Sequence, residues 1–291
     1  MGAKILSPWS LFNRIGATRG RSASVDFMSG DAVLHAVLPS DQLWVSIKDV
    51  LVYEDYEFLD KFRLSRLPSD ATVLDAGAFV GLYSLKASRY AKRVVSLEPS
   101  EQNYGYLESN IMLNGANNVE PHQVALSSIA GLSKFSQSGT TSTLSESGQQ
   151  TVETTTLDDV IESVGHVDLL KLDIEGSEYE VFAACRSALR EIAKITAEIH
   201  IYTDAHKLGL KKLVTSLREN GFEVVTMQSP FQTMLYGMVK PWNCSLKRYN
   251  NGNASLYRLL LSSIYGAGPI ARTLKRSMEI GSEGLLYAYR K

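Results

Sequence analysis

One stretch constrains this chain more than any other: a run of apolar residues that leads into a glycine-rich turn, Val73-Leu-Asp-Ala-Gly-Ala-Phe-Val-Gly-Leu-Tyr83. The pattern predicts a buried strand, a tight turn and then a helix. Gly77 and Gly81 let the backbone approach a ligand closely, while the start of the next helix presents its N-terminus. Asp75, the acid at the end of the strand, repels phosphate and favours a ligand with a cationic group.

A second apolar strand follows at residues 94–97 and ends in Glu98, which lies 23 positions after Asp75. In doubly wound nucleotide-binding folds, an acid about twenty residues after the glycine turn accepts hydrogen bonds from ribose hydroxyls. The two features together predict a site for a nucleoside-containing ligand.

Strand and helix patterns alternate from Thr72 to Thr226, which predicts an α/β fold with a mostly parallel sheet and helices on both faces. Ligands then bind at the carboxyl ends of the strands. Four polar residues fall at such ends and are expected to share one site: Asp75, Glu98, Asp173 and His200.

Composition sets limits on function. The 291 residues are 44% hydrophobic and 21% charged, as in ordinary globular proteins, and the net charge of −1 argues against a broad nucleic-acid surface. The two cysteines form no CxxC pair, which excludes a thiolate zinc site and a disulfide framework. No apolar run is long enough to span a membrane, and we expect a cytoplasmic protein.

The flanking segments carry separate expectations. Residues 24–38 predict a β-hairpin and residues 55–64 a helix, so that 1–66 forms a cap on a domain at 67–291. Residues 119–126 predict a third strand, and 134–156 either a hairpin excursion or a flexible polar loop. The stretch 228–283 has a local charge of +5 and predicts an insertion before a final strand at 284–289. It can be a solvated face, an acceptor-binding lid or, through 256–278, a peripheral membrane contact.

Six short motifs stand in a fixed order along the chain. They are Leu74-Asp75-x-Gly77-x-x-x-Gly81, Leu97-Glu98-Pro99, Val124-Ala125-Leu126-Ser127, Thr156-Leu157-Asp158, Leu170-Lys-Leu-Asp173-Ile-Glu175-Gly-x-Glu178 and Glu198-Ile-His200. Together they resemble the FkbM family of S-adenosylmethionine-dependent methyltransferases over roughly residues 67–226.

The resemblance implies a class I methyltransferase fold, a Rossmann-like sheet of seven strands whose last strand is antiparallel between the fifth and the sixth. It also implies S-adenosylmethionine as cofactor and methyl transfer to oxygen, on a hydroxyl of a small molecule, a sugar or a lipid-linked glycan. Residues expected to bind the cofactor are Asp75, Gly77, Ala78, Phe79, Gly81, Glu98, Pro99, Ala125, Leu126, Ser127 and Asp173.

Four residues are candidates for the chemistry: Asp173, Glu175, Glu198 and His200. Asp173 is expected beside the transferred methyl group, with Glu175 close to it. Glu198 and His200 share one face of a strand, so that Glu198 can orient His200 as a general base. No metal is expected; the alternative is a divalent ion held by Asp173 with His200. Glu178 is interpreted as structural.

Two other functions stay open at this point. Residues 103–114 are similar to a helix of some transfer-RNA methyltransferases, although the neutral net charge and the Asp-Ile-Glu-Gly run speak against RNA. A non-catalytic module that kept the fold to dock a partner is the other alternative. The acceptor and the oligomeric state do not follow from the sequence.

Overall fold

The computed structural model describes residues 4–5, 22–40, 42, 47–52, 54–138, 141–144, 148–201, 203–228 and 283–290. Five α-helices and four 3₁₀ turns lie in these ranges, together with one π-helical turn at Lys48–Val52. The helices are α1 Leu82–Ala87, α2 Glu101–Asn114, α3 Leu157–Val164, α4 Glu178–Ala184 and α5 Asp204–Glu219. The 3₁₀ turns are Asp55–Glu57, Asp60–Phe62, Leu64–Arg66 and Ala188–Glu191.

Fourteen strands are described in the same ranges, in three sheets. They are β1 Lys4–Ile5, β2 Ser22–Ser29, β3 Ala32–Pro39, β4 Thr72–Ala76, β5 Arg93–Leu97, β6 Val119–His122, β7 Ala125–Leu126, β8 Gly131–Ser138, β9 Thr141–Leu144, β10 Gln150–Thr155, β11 Leu169–Leu172, β12 Lys194–His200, β13 Glu223–Gln228 and β14 Glu283–Tyr289.

The central sheet has seven strands in the order β13-β14-β12-β11-β4-β5-β6. Neighbouring strands are parallel except β14, which is antiparallel to both β12 and β13. This is the sheet of a class I methyltransferase, which confirms the expected fold class and the place of the last strand.

Both faces of the sheet are covered, as the nearly continuous apolar runs of its strands require. Adjacent residues of β4 show the division: Val73 packs into one core and Leu74 into the other. The Leu74 side is covered by α3, α4 and α5. The Val73 side is covered by α1 together with the N-terminal hairpin and residues 54–67, which share a single hydrophobic cluster with it.

The N-terminal hairpin, β2 with β3, is confirmed and docks on α2 through two asparagines. Asn110 accepts a hydrogen bond from the Val37 amide and donates to its carbonyl, at 2.7 and 2.9 Å. One helical turn later, Asn114 does the same for His35. Side chains four residues apart lie on one face of a helix. The two side-chain amides therefore pair with the backbone of β3 as a neighbouring strand would.

The helix expected at residues 55–64 is wrong, because the chain forms three separate 3₁₀ turns there. Leu59 and Arg63 interrupt them with extended backbone, at ψ near 132°. The interruptions let Tyr56, Phe62 and Leu64 all reach the core, where each is buried. Tertiary packing thus overrides the helical spacing of this segment.

The strand expected at 119–126 is divided between two sheets. β6 pairs with β5, whereas β7 pairs with β10 in a four-stranded outer sheet of order β7-β10-β8-β9. The Val124 amide donates back to the His122 carbonyl, a tight turn that redirects the chain between them. The described part of 134–156 therefore forms strands rather than a flexible loop.

Nearly all of the basic insertion, residues 229–282, lies outside the described residues. Its three interpretations, a solvated face, an acceptor-binding lid and a peripheral membrane contact, therefore stay predictions. Among the described helices, none combines the length and the apolar character needed to cross a lipid bilayer. The division into 1–66 and 67–291 stays a prediction.

Lys86 of α1 ties residues 54–57 to the domain. Its side chain is 3% exposed, and Nζ lies 2.8 Å from Glu54 and 2.5 Å from Glu57. Because removal of the buried cation leaves two partly buried carboxylates without their charge partner, we expect Lys86→Met to lower the free energy of unfolding by about 3–5 kcal/mol in urea denaturation.

The matched control is Lys207→Met. Lys207 also forms an ion pair, with Asp204, but its side chain is 67% exposed, and we expect no measurable change in stability. Equal effects of the two substitutions would contradict an anchoring role for Lys86.

Candidate active site

Asp75, on β4, lies below the glycine turn and has no exposed surface. One carboxylate oxygen accepts a 2.6 Å hydrogen bond from Ser84, and the other lies 3.2 Å from Nζ of Lys171. The strand register explains the ion pair, because Lys171 of β11 stands directly beside Asp75. Both carboxylate oxygens of Asp75 thus face protein groups, and the expected contact between Asp75 and a ligand stays a prediction.

The turn after β4 is held against the protein on two sides. The amides of Gly77 and Ala78 both donate to the Leu97 carbonyl at the end of β5, at 3.0 and 2.9 Å. Gly77 has a φ of 77°, and a Cβ there would stand 1.8 Å from the Asp173 carbonyl oxygen. A Cβ on Gly81 would meet Leu107 at 2.5 Å. The two glycines are thus needed for packing, beyond the ligand approach we expected.

Glu98 lies at the end of β5 with 5% of its surface exposed. One oxygen accepts from the Phe79 amide at 2.9 Å; the other accepts from the Ser100 amide and from Asn103. Burial raises the pKa of Glu98 to about 7, although these hydrogen bonds and the charge of Lys171 act in the opposite direction. Glu98 therefore connects the turn to the start of α2 and sits next to the predicted ligand edge.

The remaining predicted cofactor residues lie near these strand ends. Ala78 is buried, while Phe79 is half-buried and has a left-handed φ of 55°. Ala125 and Leu126 are buried in β7, and the Ser127 amide donates to the Thr155 carbonyl. Pro99 is half-buried. Contact of these residues with a cofactor stays a prediction.

Asp173 follows β11, and its side chain is 25% exposed. Its Oδ2 accepts a 2.7 Å hydrogen bond from the hydroxyl of Tyr56 and lies 3.9 Å from Nζ of Lys171. The same hydroxyl lies 3.1 Å from Glu198. The structure thus brings Asp173 and Glu198 together through Tyr56, a residue that sequence reasoning missed. In the sequence, Tyr56 stands out only as an apolar position of the segment that was interpreted as a cap.

His200 is 3% exposed at the end of β12, and both ring nitrogens face carboxylates. Nδ1 lies 3.0 Å from Oε1 of Glu178, and Nε2 lies 3.3 Å from Glu175. Glu178 is fully buried and also accepts from the Gly176 amide. The partner expected to orient His200 is therefore corrected from Glu198 to Glu178.

The charge of His200 follows from these contacts. Burial acts to lower the pKa of the imidazole, but the hydrogen bond to Glu178 and the charges of Glu178, Glu198 and Glu175 raise it well above its ordinary value. The carboxylates at both ring nitrogens and the raised pKa favour the imidazolium form of His200. Its expected role as general base stays a prediction.

Asp173, Glu175 and His200 offer ligand atoms that all lie within 4.8 Å of one another. Such a set can hold a divalent ion. The contacts of His200 with Glu175 and Glu178, and the nearby Lys171, offset part of the carboxylate charge. The expectation of no metal, with Asp173 and His200 as the alternative site, stays a prediction.

The histidine charge is directly measurable. In ¹⁵N-histidine NMR spectra, we expect the His200 ring to keep the imidazolium shift pattern above pH 7. Glu178→Gln removes the largest contribution that raises the pKa, so the same resonance is expected to titrate at lower pH. A wild-type His200 that is neutral at pH 7 would contradict the assigned charge.

This chain is similar in sequence to two named methyltransferases and in structure to a solved methyltransferase. Hexuronic acid methyltransferase AglP of Haloferax volcanii is 27% identical, over 63% of this chain and 77% of that protein. Methyltransferase sdnD of Sordaria araneosa is 31% identical, over 41% of this chain; the match spans 62% of that protein's length. An O-methyltransferase of Bacillus cereus, solved with SAH, is 13% identical, with a TM-score of 0.40 over 77% of this chain and 75% of that one.

A family model also matches this chain. The methyltransferase FkbM domain matches residues 75–224, which is more than half of the chain. This range begins at Asp75 and includes Glu98, Asp173 and His200. The chain therefore belongs to the FkbM methyltransferase family.

Proposed function

We propose that this chain transfers a methyl group from S-adenosylmethionine to a hydroxyl oxygen of a sugar or a related small molecule. Methyltransferase activity itself follows from the family. One observation carries the choice of a hydroxyl: Asp173 presents a partly exposed carboxylate at the ligand edge of the sheet. Its Oδ2 is hydrogen-bonded, whereas Oδ1 makes no hydrogen bond to any residue that the structure describes.

S-adenosylmethionine is the cofactor, and the residues at the ends of β4 and β5 fit it. The Glu98 carboxylate uses three of about four acceptor positions, which leaves room for a ribose hydroxyl. Its raised pKa indicates a buried carboxylate that further donors would stabilise. When bound, the cofactor supplies an electrophilic methyl group on a sulfonium.

The chain's own residues have to position the acceptor and take its proton. Asp173 is placed to accept that proton at Oδ1, because the oxygen on the other side is held by Tyr56. In this proposal His200 is not the base; it contacts Glu175 and Glu178 through its two ring nitrogens and holds them in place. A positioned general base of this kind contributes about 10²- to 10⁴-fold to a rate.

A sugar acceptor is supported by the relative that is named a hexuronic acid methyltransferase. Such an acid offers two kinds of oxygen, hydroxyl and carboxylate. Asp173, Glu175 and Glu198 surround the candidate site, and an anionic carboxylate beside them is repelled, whereas a neutral hydroxyl is not. The charge of the site thus favours a hydroxyl.

The RNA alternative loses its main support in the structure. The helix that suggested it, α2, uses Asn110 and Asn114 to bind the backbone of β3 inside the molecule. Those amides are occupied by the β3 backbone, and the exposed side chains of Met112 and Leu113 beside them are apolar. No observation favours the non-catalytic alternative.

The first test concerns the cofactor. Only the ionised Glu98 keeps an acceptor position open for a ribose hydroxyl beside its three present donors, and its pKa is about 7. We expect the affinity for S-adenosylhomocysteine, measured by isothermal titration calorimetry, to fall about tenfold between pH 8 and pH 6. Glu98→Ala should bind weakly and with little pH dependence.

Glu101→Ala is the matched control, since Glu101 is exposed three positions further along the chain. It should bind like wild type at every pH. Wild-type affinity that does not change with pH would exclude Glu98 from the binding site.

The second test concerns the acceptor. With methyl-tritiated S-adenosylmethionine and glycosides of glucuronic, galacturonic and neutral sugars, we expect label in a product that survives mild alkali. A methyl ether survives this treatment, whereas a methyl ester is hydrolysed. Asp173→Asn should lower kcat by about 10²- to 10⁴-fold and leave S-adenosylhomocysteine binding intact.

Glu180→Gln changes an exposed carboxylate of α4 and should keep the wild-type rate. Label that alkali releases would show carboxylate methylation, and full activity of Asp173→Asn would remove Asp173 from the reaction.

A further inference from the structure

Tyr56 reaches the candidate active site from outside the part of the chain that matches the family. It is 3% exposed, and its hydroxyl oxygen lies 2.7 Å from Oδ2 of Asp173 and 3.1 Å from Oε2 of Glu198. Its ring stands edge-on to Tyr83 at 5.6 Å, and Nζ of Lys171 lies 5.1 Å from the ring centre. The N-terminal segment thus supplies one polar group to the site.

Contacts on both sides of Tyr56 fix its position. Glu54 and Glu57 form ion pairs with the buried Lys86, and the hydroxyl of Tyr287 donates to the carbonyl of Asp55. None of these contacts involves Asp173. Tyr56 is therefore held by the fold and can in turn hold Asp173.

The hydrogen count assigns the direction of the bonds. A phenol has one hydrogen to donate, and two carboxylate oxygens lie within reach of it. The shorter contact is to Asp173, which is the better acceptor position for that hydrogen.

We propose that Tyr56 is the positioning residue for Asp173: its hydroxyl binds Oδ2 and turns Oδ1 toward the acceptor. The inference rests on the proposed methyl transfer to a hydroxyl. It means that the family domain by itself lacks a complete site, because residues before position 75 contribute to it.

The groups that face Tyr56 allow it to remain a donor at every working pH. They are Asp173, Glu198 and Asp49, with the cation of Lys171 over the ring and Tyr83 at its edge. Burial, followed by the charges of Asp173, Glu198 and Asp49, raises the pKa of Tyr56 well above its ordinary value. Loss of this donor leaves the Asp173 carboxylate less stabilised, so the acid side of the activity profile moves to higher pH.

The main experiment compares two buried tyrosines. Tyr56→Phe should lower kcat about 10- to 100-fold, as expected for a hydrogen bond to a charged group, with unchanged affinity for S-adenosylhomocysteine. The acid limb of its kcat profile should lie at higher pH than in wild type. Tyr83→Phe is the control, because the Tyr83 hydroxyl has no hydrogen-bond partner among the described residues; it should match wild type in both respects.

A double-mutant cycle tests whether Tyr56 acts through Asp173. In the Asp173→Asn background, Tyr56→Phe should cause no further loss in single-turnover methyl transfer. Independent, multiplying losses would overturn the proposal, as would wild-type kcat and an unmoved acid limb in Tyr56→Phe.

One measurement needs neither activity nor a Tyr56 variant. In protein with labelled tyrosine, the Tyr56 hydroxyl proton should be protected from exchange and shifted downfield, and Asp173→Asn should move it upfield. An unchanged resonance overturns the positioning role even if methyl transfer is observed. A shifted resonance in a protein that methylates none of the glycosides would instead refute the proposed function.

Discussion

The buried cation of Lys171 is the interaction on which the site depends. Its Nζ lies 3.2 Å from Asp75, 2.6 Å from the Gly77 carbonyl and 3.9 Å from Asp173. One charge thus joins β4, the turn after it and the end of β11. A buried ion of this kind is stable only when its partners are in place, so the ligand edge of the sheet is organised before any ligand arrives.

The second cluster, at the end of β12, follows the same physical rule. His200 is buried between the carboxylates of Glu175 and Glu178, and Glu178 has no exposed surface. Carboxylates gather at this edge beside the basic groups of neighbouring strands, Lys171 of β11 and His200 of β12. The proposed division of roles follows from this arrangement: His200 contacts Glu175 and Glu178, whereas Asp173 contacts Tyr56 and Lys171.

Two segments outside the family match, the hairpin β2–β3 and residues 54–67, complete the fold. The hairpin β2–β3 binds to α2 through paired asparagines, and residues 54–67 complete the core beside α1. Since Lys86 holds residues 54–57, the stability of this segment and the position of Tyr56 are coupled. Tyr56 of this segment contacts Asp173 and Glu198, which a motif search limited to residues 75–224 does not show.

Local pattern by itself determined the order of strands and helices, the glycine turn and the acids at the strand ends, because apolar periodicity and turn chemistry depend on near neighbours. The short 3₁₀ turns at 55–66 and the split of the third strand escaped it, since packing decided both. Only the tertiary structure decided which charged and polar side chains contact each other. Asp75 turns to Lys171, His200 to Glu178, and Asp173 to a tyrosine 117 positions earlier, because strand register and long-range docking bring these groups together.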